Sequence, residues 1–282
     1  MNGILVVNKE KDYTSRDIVN IVSSLLKTKK VGHTGTLDPL ATGVLVLCIG
    51  KSLKLSELLV STEKEYIATL KLGIETDTLD ITGNITKEKE IPHLNKEQII
   101  NALNQFLGTT IQEVPAYSAV KVNGKKLYEY ARNNEYVELP KREINISHIE
   151  LLDYKDEYIT FKCNVSKGTY IRSLIRDIGI SLNTYATMTS LTRTKQGIFN
   201  IESSYTLDNI KEGNYKLLDP KDILDIPKII INEKLEQKVK NGQVLEKFFD
   251  FDLAMLLNKN GDLIAIYKQY KNNYVKPYKM LN

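Results

Sequence analysis

One carboxylate in the sequence, Asp38, lies in a segment whose residue types favour a rigid loop. Residues 32–45 place three glycines and one further turn residue, Pro39, around it. Pro39 fixes its own φ and disfavours the helical region for Asp38. The apolar run at residues 44–49 predicts a buried strand directly after the loop. A carboxylate held in such a loop could act as a nucleophile or as a base. In most proteins, however, the aspartate of an isolated Asp-Pro pair only forms hydrogen bonds with the backbone of its own turn.

The segment around Asp38 resembles the signature of the TruB family of pseudouridine synthases, G-x-L-D-P-x-A-x-G. In this chain it reads G-T-L-D-P-L-A-T-G, at residues 35–43. The Asp is the catalytic residue of that family, so the resemblance assigns catalysis to Asp38. Three further blocks occur in the family's order, at residues 64–68, 118–132 and 166–172. The resemblance covers about the first two hundred residues.

The resemblance implies an isomerase that converts uridine to pseudouridine at position 55, in the T-loop of tRNA. The N1–C1′ bond breaks and a C5–C1′ bond replaces it, so the reaction needs neither a redox cofactor nor an energy source. A hydrolase acting at C1′ generally uses two carboxylates, whereas only Asp38 stands out here. Asp38 could attack C1′ or remove the C2′ proton, and the sequence does not distinguish the two routes.

Two more residues are assigned to catalysis. Alternating apolar residues over 65–74 predict a half-buried strand, with Tyr66 on its core side near the beginning. A tyrosine in this position is usually a core residue. The resemblance implies instead that Tyr66 stacks on the uracil and helps to remove the C5 proton. Arg172 falls in the first turn of a predicted helix, where the macrodipole disfavours a cation, so we expect an anionic partner. We predict that this partner is Asp38.

The resemblance also assigns substrate-binding residues. The uridine must leave the T-loop, and His33 is expected to fill or stack in the space it vacates. Tyr170 and Leu191 are expected to form the remaining wall around the base, and Asp80 to line the RNA-binding cleft. From residue type alone, His33 and Asp80 would be ordinary polar turn residues.

A basic hairpin is expected to bind the tRNA. Asn123-Gly124 is a strong hairpin signal, and Lys121 and Lys126 flank it. A short helical stretch over residues 127–132 follows. In the family this region is a mobile insertion that holds tRNA, whereas its composition alone would indicate a solvated hairpin.

The composition points to an intracellular protein without cofactors. The chain has 282 residues and a net charge of +4, so nucleic-acid binding must come from local clusters. Cys48 and Cys163 are predicted to be buried, reduced thiols. The three histidines are isolated, and we find no zinc pattern, Walker loop or dinucleotide fingerprint. No apolar run approaches the length of a membrane span, so we expect a soluble, cytoplasmic protein.

We expect an α+β fold, in which a mixed, mostly antiparallel sheet is flanked by helices, as in pseudouridine synthases. A catalytic domain is predicted at residues 1–225, with the RNA-gripping insertion at about 115–140. A small PUA-like RNA-binding β domain is predicted at 226–282. Its strands are expected at the following segments: 238–245, 253–257, 263–267 and 274–278.

The chain departs from the family pattern at three positions. Glu10 and Asp12 stand where the family usually has Pro and Gly, so the resemblance does not predict the conformation of that loop. Thr192 replaces one Arg of the family's Leu-Arg-Arg-Thr segment, which removes a possible phosphate contact or ion pair.

Two alternatives remain. One is a guide-RNA-dependent relative, and the other is a non-catalytic tRNA-binding or tRNA-folding factor. We expect the partner to be the T-arm of tRNA and the protein to be a monomer, with no membrane association and no obligate protein partner.

Overall fold

The computed structural model describes residues 1–60 and 63–281. Asn282, the last residue of the predicted second domain, lies outside the described residues. The chain divides into two compact units. The first unit is Met1–Pro39, Leu45–Val60 and Glu202–Asn282, and the second unit is Leu40–Val44 and Ser61–Ile201. These bounds differ from the division at residue 225, which stays a prediction.

Helices and strands alternate irregularly along the chain. The helices are α1 (Ser15–Leu25), α2 (Ser56–Leu59), α3 (Lys96–Asn104), α4 (Leu127–Arg132), α5 (Ile171–Ser181), α6 (Leu207–Lys211), α7 (Pro220–Ile223) and α8 (Glu233–Lys240). The strands are β1 (Gly3–Lys9), β2 (Val31–His33), β3 (Thr42–Ile49), β4 (Glu63–Leu72), β5 (Ile74–Thr76), β6 (Ile85–Glu88), β7 (Gly108–Glu113), β8 (Lys121–Val122), β9 (Lys125–Lys126), β10 (Lys141–Lys155), β11 (Tyr158–Ser166), β12 (Ala186–Gln196), β13 (Phe199–Asn200), β14 (Lys228–Ile230), β15 (Leu245–Glu246), β16 (Leu253–Leu257), β17 (Leu263–Tyr270) and β18 (Tyr274–Met280). Short 3-10 helices lie at Gly50–Leu55 and Ile201–Ser203.

A mainly antiparallel sheet forms the second unit. Its strands follow the order β12-β4-β11-β10-β7, and each neighbouring pair is antiparallel. The start of β3 adds a short parallel pair with β12. Alternate residues of β4 are buried, because α5 packs against β12, β4 and β7. The predicted α+β class with a mostly antiparallel sheet is confirmed.

In the first unit, the rest of β3 pairs with β2, and β1 lies beside β3. Helix α1 begins where Thr14 and Asp17 form a capping box, since each side chain binds the other residue's backbone N–H. Its buried residues Ile18, Val19 and Val22 are spaced for one helix face.

The C-terminal part of the first unit carries a five-stranded sheet, in the order β14-β16-β17-β18-β15. It surrounds an apolar core of its own, which includes Val239, Leu256 and Tyr267. The predicted small C-terminal β module is therefore present.

The predicted strand at residues 238–245 is wrong. Helix α8 ends at Lys240, and only Leu245–Glu246 is extended. The Asn232 side chain caps the helix by accepting the N–H of Leu235 at 2.9 Å. An ion pair from Lys240 to Glu236 at 2.8 Å supports its last turn.

In the described part of the chain, no helix combines the length and the apolar character needed to cross a bilayer.

Candidate active site

The two residues that flank Asp38 are both held by hydrogen bonds of the first unit. Leu37 donates its N–H to Ser15 Oγ at 2.8 Å, and the same hydroxyl donates to the Leu37 carbonyl at 3.1 Å. The Pro39 carbonyl accepts the N–H of Asp12 at 2.9 Å and the ammonium of Lys9 at 3.2 Å. The backbone at Asp38 is thus fixed from both sides, which adds to the stiffness predicted from Pro39.

Lys9 is a buried cation that sequence reasoning did not single out. Its side chain is fully buried, and its Nζ also donates to the carbonyls of Glu10 at 2.8 Å and Tyr13 at 2.6 Å. Carbonyl partners offset the cost of burying this charge. The signal in the sequence that could have identified Lys9 is its position at the end of the apolar strand β1.

The loop that departs from the family pattern still holds Pro39. Asp12 adopts φ = 70°, in the left-handed region where Asp is better tolerated than most residues. Its N–H is nevertheless the one that binds the Pro39 carbonyl. Aspartate can therefore serve where the family has glycine.

Tyr66 and Leu191 lie on the same face of neighbouring strands in the second unit. Leu191 pairs with Ala68, and Arg193 pairs with Tyr66, so the four side chains form two adjacent rows. Tyr66 and Leu191 are each only 6% exposed. The arrangement provides a ring and an aliphatic wall on one face of the sheet.

The start of β3 lies very close to β12. Gly43 has φ = 97°, and a Cβ there would lie 2.2 Å from the Arg193 carbonyl oxygen, so the position requires glycine. Arg193 is fully buried and donates its Nε–H to the Val44 carbonyl at 2.7 Å. Thr192, which replaces one Arg of the family's Leu-Arg-Arg-Thr segment, shares a hydrogen bond with the Thr42 hydroxyl at 2.9 Å.

Arg172 is a second buried cation of this unit, 6% exposed. Its guanidinium donates to the carbonyls of Thr78 at 2.8 Å and Tyr117 at 3.1 Å. The Asp80 carboxylate lies near it within this unit, with Oδ2 at 3.9 Å from Nη1. Asp80 also accepts from the N–H and hydroxyl of Thr82, so it shapes its own turn as well.

Tyr170 occupies the N-cap position of α5 and is held by Gln112. It donates its N–H to Gln112 Oε1 at 2.8 Å, and its carbonyl accepts from Gln112 Nε2 at 3.1 Å. The Arg142 guanidinium lies 5.5 Å from the centre of the Tyr170 ring. Gln112 was not predicted, because nothing in the sequence indicates a contact over this separation.

The basic hairpin forms at the predicted position. Lys121 and Lys126 are register partners on β8 and β9. The Lys126 ammonium lies 5.3 Å from the Tyr128 ring centre, and the Arg132 guanidinium lies at the same distance from that ring. Two cations are therefore grouped around one aromatic ring, and Lys121 lies on the adjoining strand.

His33 ends β2 in the first unit, where it pairs with Leu47 and is half-buried. The structure describes His33 and Asp38 within the first unit, and the other predicted site residues within the second.

Both cysteines are buried and outside any disulfide, as predicted. Burial raises the pKa of Cys48 to about 12 and raises the pKa of Cys163 further, so both thiols stay neutral at pH 7. No cluster of three His, Cys, Asp or Glu side chains that could hold a metal ion occurs among residues 1–60 and 63–281.

The chain is similar to a family of known proteins over most of its length. Residues 23–171 match "TruB family pseudouridylate synthase (N terminal domain)", and residues 172–225 match "tRNA pseudouridylate synthase B C-terminal domain". The tRNA pseudouridine synthase B of Clostridium tetani is 43% identical, over 96% of this chain and 93% of the relative. That of Caldicellulosiruptor saccharolyticus is 46% identical, over 88% and 84%.

Solved structures resemble the fold. A Cbf5-Nop10-Gar1 complex gives a TM-score of 0.71 at 24% identity, covering 99% of this chain and 85% of that chain. An H/ACA RNP bound to a substrate RNA containing 2′-deoxyuridine gives 0.70 at 24% identity, with the same coverage. At this identity the likeness supports the fold alone.

Proposed function

Because the chain belongs to the TruB family of pseudouridylate synthases, we propose that it isomerises uridine 55 in the T-loop of tRNA. The observation that carries this proposal is the near full-length similarity to relatives named tRNA pseudouridine synthase B. The signature carboxylate, Asp38, lies in a loop held on both sides, which supports a catalytic role. A group that must meet one carbon atom of a ribose benefits from such a fixed position.

Asp38 is the proposed catalytic carboxylate. In one route it attacks C1′ as the N1–C1′ bond breaks, and in the other it removes the C2′ proton and the base leaves as an anion. In the first route the base turns and C5 bonds to C1′ as the bond between C1′ and the Asp38 oxygen breaks. In the second route C5 bonds to C1′ as Asp38 returns the proton to C2′. In both routes the C5 proton is then lost while N1 is protonated. Water is neither consumed nor formed, which fits the reliance on a single carboxylate.

Tyr66 is proposed to stack on the uracil and to assist removal of the C5 proton. Flipping the uridine out of its stack costs a few kcal/mol, and an aromatic contact returns roughly 1–3 kcal/mol. The adjacency of Tyr66 and Leu191 on one sheet face supports their role as two walls for one base. Tyr170, with its backbone held by Gln112, is proposed as a further wall.

Arg172 is proposed to compensate the negative charge of Asp38 during the reaction. Its burial supports this, because a charge acts more strongly on its surroundings where water is excluded. His33 is proposed to occupy the space left by the flipped base. Asp80 is proposed to line the RNA cleft, and Lys121 with Lys126 to bind the tRNA backbone.

The proposal is tested by Asp38→Asn on a T-arm transcript, with mapping of the modified uridine. We expect turnover to fall by about a thousandfold or more, because the amide can neither attack nor accept a proton. Binding of the RNA should be nearly unchanged. Asp156→Asn, at an exposed turn, is the matched control and should retain full activity.

The same experiment separates the alternatives. Conversion of the bare transcript excludes a requirement for guide RNA or protein partners, whereas binding without conversion by the wild type would indicate a tRNA-binding or tRNA-folding factor. Retained turnover in Asp38→Asn would remove Asp38 from catalysis. The cytoplasmic location and the monomeric state stay predictions.

A further inference from the structure

Lys64 lies on the same face of β4 as Tyr66. Side chains alternate along a strand, so residues 64 and 66 share one face at a spacing of about 7 Å. Burial along β4 follows this alternation, with Tyr66 on the buried face. The row of Lys64 continues with Val165 on β11 and Gln196 on β12. Lys64 is thus one row from the proposed uracil stack.

The ammonium of Lys64 has no hydrogen bond or ion pair with any described residue. The side chain is half-buried, and the neighbouring row contains a second cation, the fully buried Arg193. Burial lowers the pKa of Lys64 to about 8, and the charge of Arg193 acts in the same direction. A cation that has no partner among residues 1–60 and 63–281 and lies beside another cation is unfavourable in the free protein.

Lysines on the other face of this sheet are arranged differently. Lys71, on the same strand, is 3.5 Å from a carboxylate oxygen of Glu157. Lys162, on β11, is 3.4 Å from a carboxylate oxygen of Glu65. Carboxylate partners are thus present where the lysines face outward, whereas no described carboxylate pairs with Lys64 on the Tyr66 face. The Lys64 position therefore suits an anion brought by a ligand.

We propose that Lys64 binds a backbone phosphate of the RNA, next to the uridine that stacks on Tyr66. This inference rests on the proposed function, because RNA is the polyanion that the site would receive. A base lying against Tyr66 carries a phosphate on each side of its ribose, so a cation one row away lies within reach of that nucleotide. Phosphate contacts of this kind position the chain without reading its sequence.

The other ionisable groups near this face do not supply the anion. Cys163 lies in the adjacent row, beside Tyr66, and burial raises the pKa of its thiol, which is therefore neutral at pH 7. Helix α5 contacts β4, and its Arg172 binds carbonyl groups. Asp177 and Glu113, beside that helix, are paired with Arg176.

The test compares wild type, Lys64→Met, Lys64→Arg and Lys71→Met in equilibrium binding of a T-arm transcript. Met removes the charge at similar length, and Lys71→Met is the same substitution on the opposite face. We expect Lys64→Met to weaken binding about tenfold at low salt. The slope of log Kd against log salt should fall by about one, and Lys71→Met should match wild type.

A pH series supplies the second readout. The free wild-type protein loses the Lys64 proton above about pH 8, so its affinity should fall about fivefold between pH 7 and 9. Lys64→Arg stays charged and should bind tightly at both pH values, whereas Lys64→Met should bind weakly at both.

A Lys64→Met protein with the wild-type salt slope and pH profile would overturn the phosphate assignment. If that variant does not fold, the pH profile of Lys64→Arg decides. An affinity of Lys64→Arg that falls above pH 8 as much as that of the wild type would contradict the proposal. Turnover of the same transcript by the wild type is measured in parallel. If the wild type does not convert the transcript, the proposed function itself is contradicted.

Discussion

At the scale of single residues, the face of the sheet around Tyr66 combines one aromatic hydroxyl with a fully buried guanidinium, that of Arg193, and a half-buried ammonium, that of Lys64. Tyr66 stands in a row between Cys163 and Arg193, a neutral thiol and a buried guanidinium. Electrostatic and proton-transfer effects are strong in such surroundings. Small changes in these side chains should therefore have separable effects on chemistry and on stability.

The first prediction concerns the Tyr66 hydroxyl. Tyr66→Phe keeps the ring for stacking but removes the group proposed to assist loss of the C5 proton. Single-turnover product formation should slow by about a hundredfold, with little change in RNA affinity. Tyr158→Phe, on the neighbouring strand β11, is the control. An unchanged single-turnover rate for Tyr66→Phe would exclude the hydroxyl from the mechanism.

The second prediction concerns the stability cost of Lys64. Its pKa is lowered to about 8 in the folded protein, from an ordinary value of 10.5. The unfolded chain therefore binds more protons between these values, and wild-type stability rises with pH through this window. Lys64→Met should be more stable than wild type at pH 7, on the order of 1–3 kcal/mol.

That gain should persist below pH 8 and shrink as the pH rises towards 10, as measured by urea unfolding. A gain that does not vary with pH would show that packing, and not charge, causes the difference. Lys71→Met, which removes an outward-facing ion pair, should change stability by less than about 1 kcal/mol at either pH.

At the scale of elements, helix α1 and strand β1 hold the Asp38 loop through side chains that lie far from it in sequence. Ser15 at the start of α1 binds Leu37, and Lys9 at the end of β1 binds the carbonyl of Pro39. The loop therefore depends on the positions of both elements, and damage to either should reach Asp38 indirectly.

The third prediction is that Ser15→Ala reduces turnover more than binding. It leaves the buried N–H and carbonyl of Leu37 without the hydroxyl, at a cost of about 1–3 kcal/mol. A misplaced carboxylate should lower kcat about tenfold or more, while KM changes little. Ser24→Ala, at an exposed position of the same helix, is the control. Equal losses in kcat for both variants would contradict the role given to Ser15.

The fourth prediction concerns the basic hairpin of β8 and β9. Replacing both Lys121 and Lys126 by Ala should weaken tRNA binding and reduce its salt dependence by a slope of about two. Lys155→Ala, at the exposed end of β10, should leave both quantities unchanged. Unaltered binding by the double variant would mean that this hairpin does not hold the tRNA.

At the scale of the whole molecule, the N-terminal strand depends on residues that follow the large antiparallel sheet in sequence. Ile4 exchanges two backbone hydrogen bonds with Leu218, at 2.9 and 2.8 Å. Tyr205 bonds with Val6 and Asn8 in the same way. Since β1 is almost entirely buried, these bonds have no substitute from water.

The fifth prediction compares two shortened chains. Residues 1–201 should lack a cooperative thermal transition, because the buried β1 backbone loses its partners. Residues 1–225 keep those partners and should unfold cooperatively, with weaker tRNA binding. Circular dichroism melting checks both. If the longer fragment also fails to fold, the predicted division at residue 225 is wrong.

The sequence predicts elements where the pattern is local. The alternation of β4 and the Asn123-Gly124 hairpin each depend on a few adjacent residues, and both are observed. Helix α8 was mistaken for a strand because its capping residue, Asn232, lies outside the segment considered. Periodicity within residues 238–245 alone is too short to identify a helix.

The supports of the candidate site could not be predicted in the same way. The Lys9 contact with Pro39 spans 30 positions, and the Gln112 contact with Tyr170 spans 58. Such contacts depend on how elements pack, and neither residue type nor spacing specifies them. The helix dipole predicted an anionic partner for Arg172, whereas its hydrogen bonds to the carbonyls of Thr78 and Tyr117 were not predicted.

The close approach at Gly43 limits how this protein can change. With a backbone oxygen 2.2 Å from where any Cβ would stand, even alanine would push the two strands apart. The displaced strand leads directly from the Asp38 loop, five residues upstream. A library covering every codon at position 43 should therefore return glycine as the single amino acid among active clones, because glycine alone carries no Cβ.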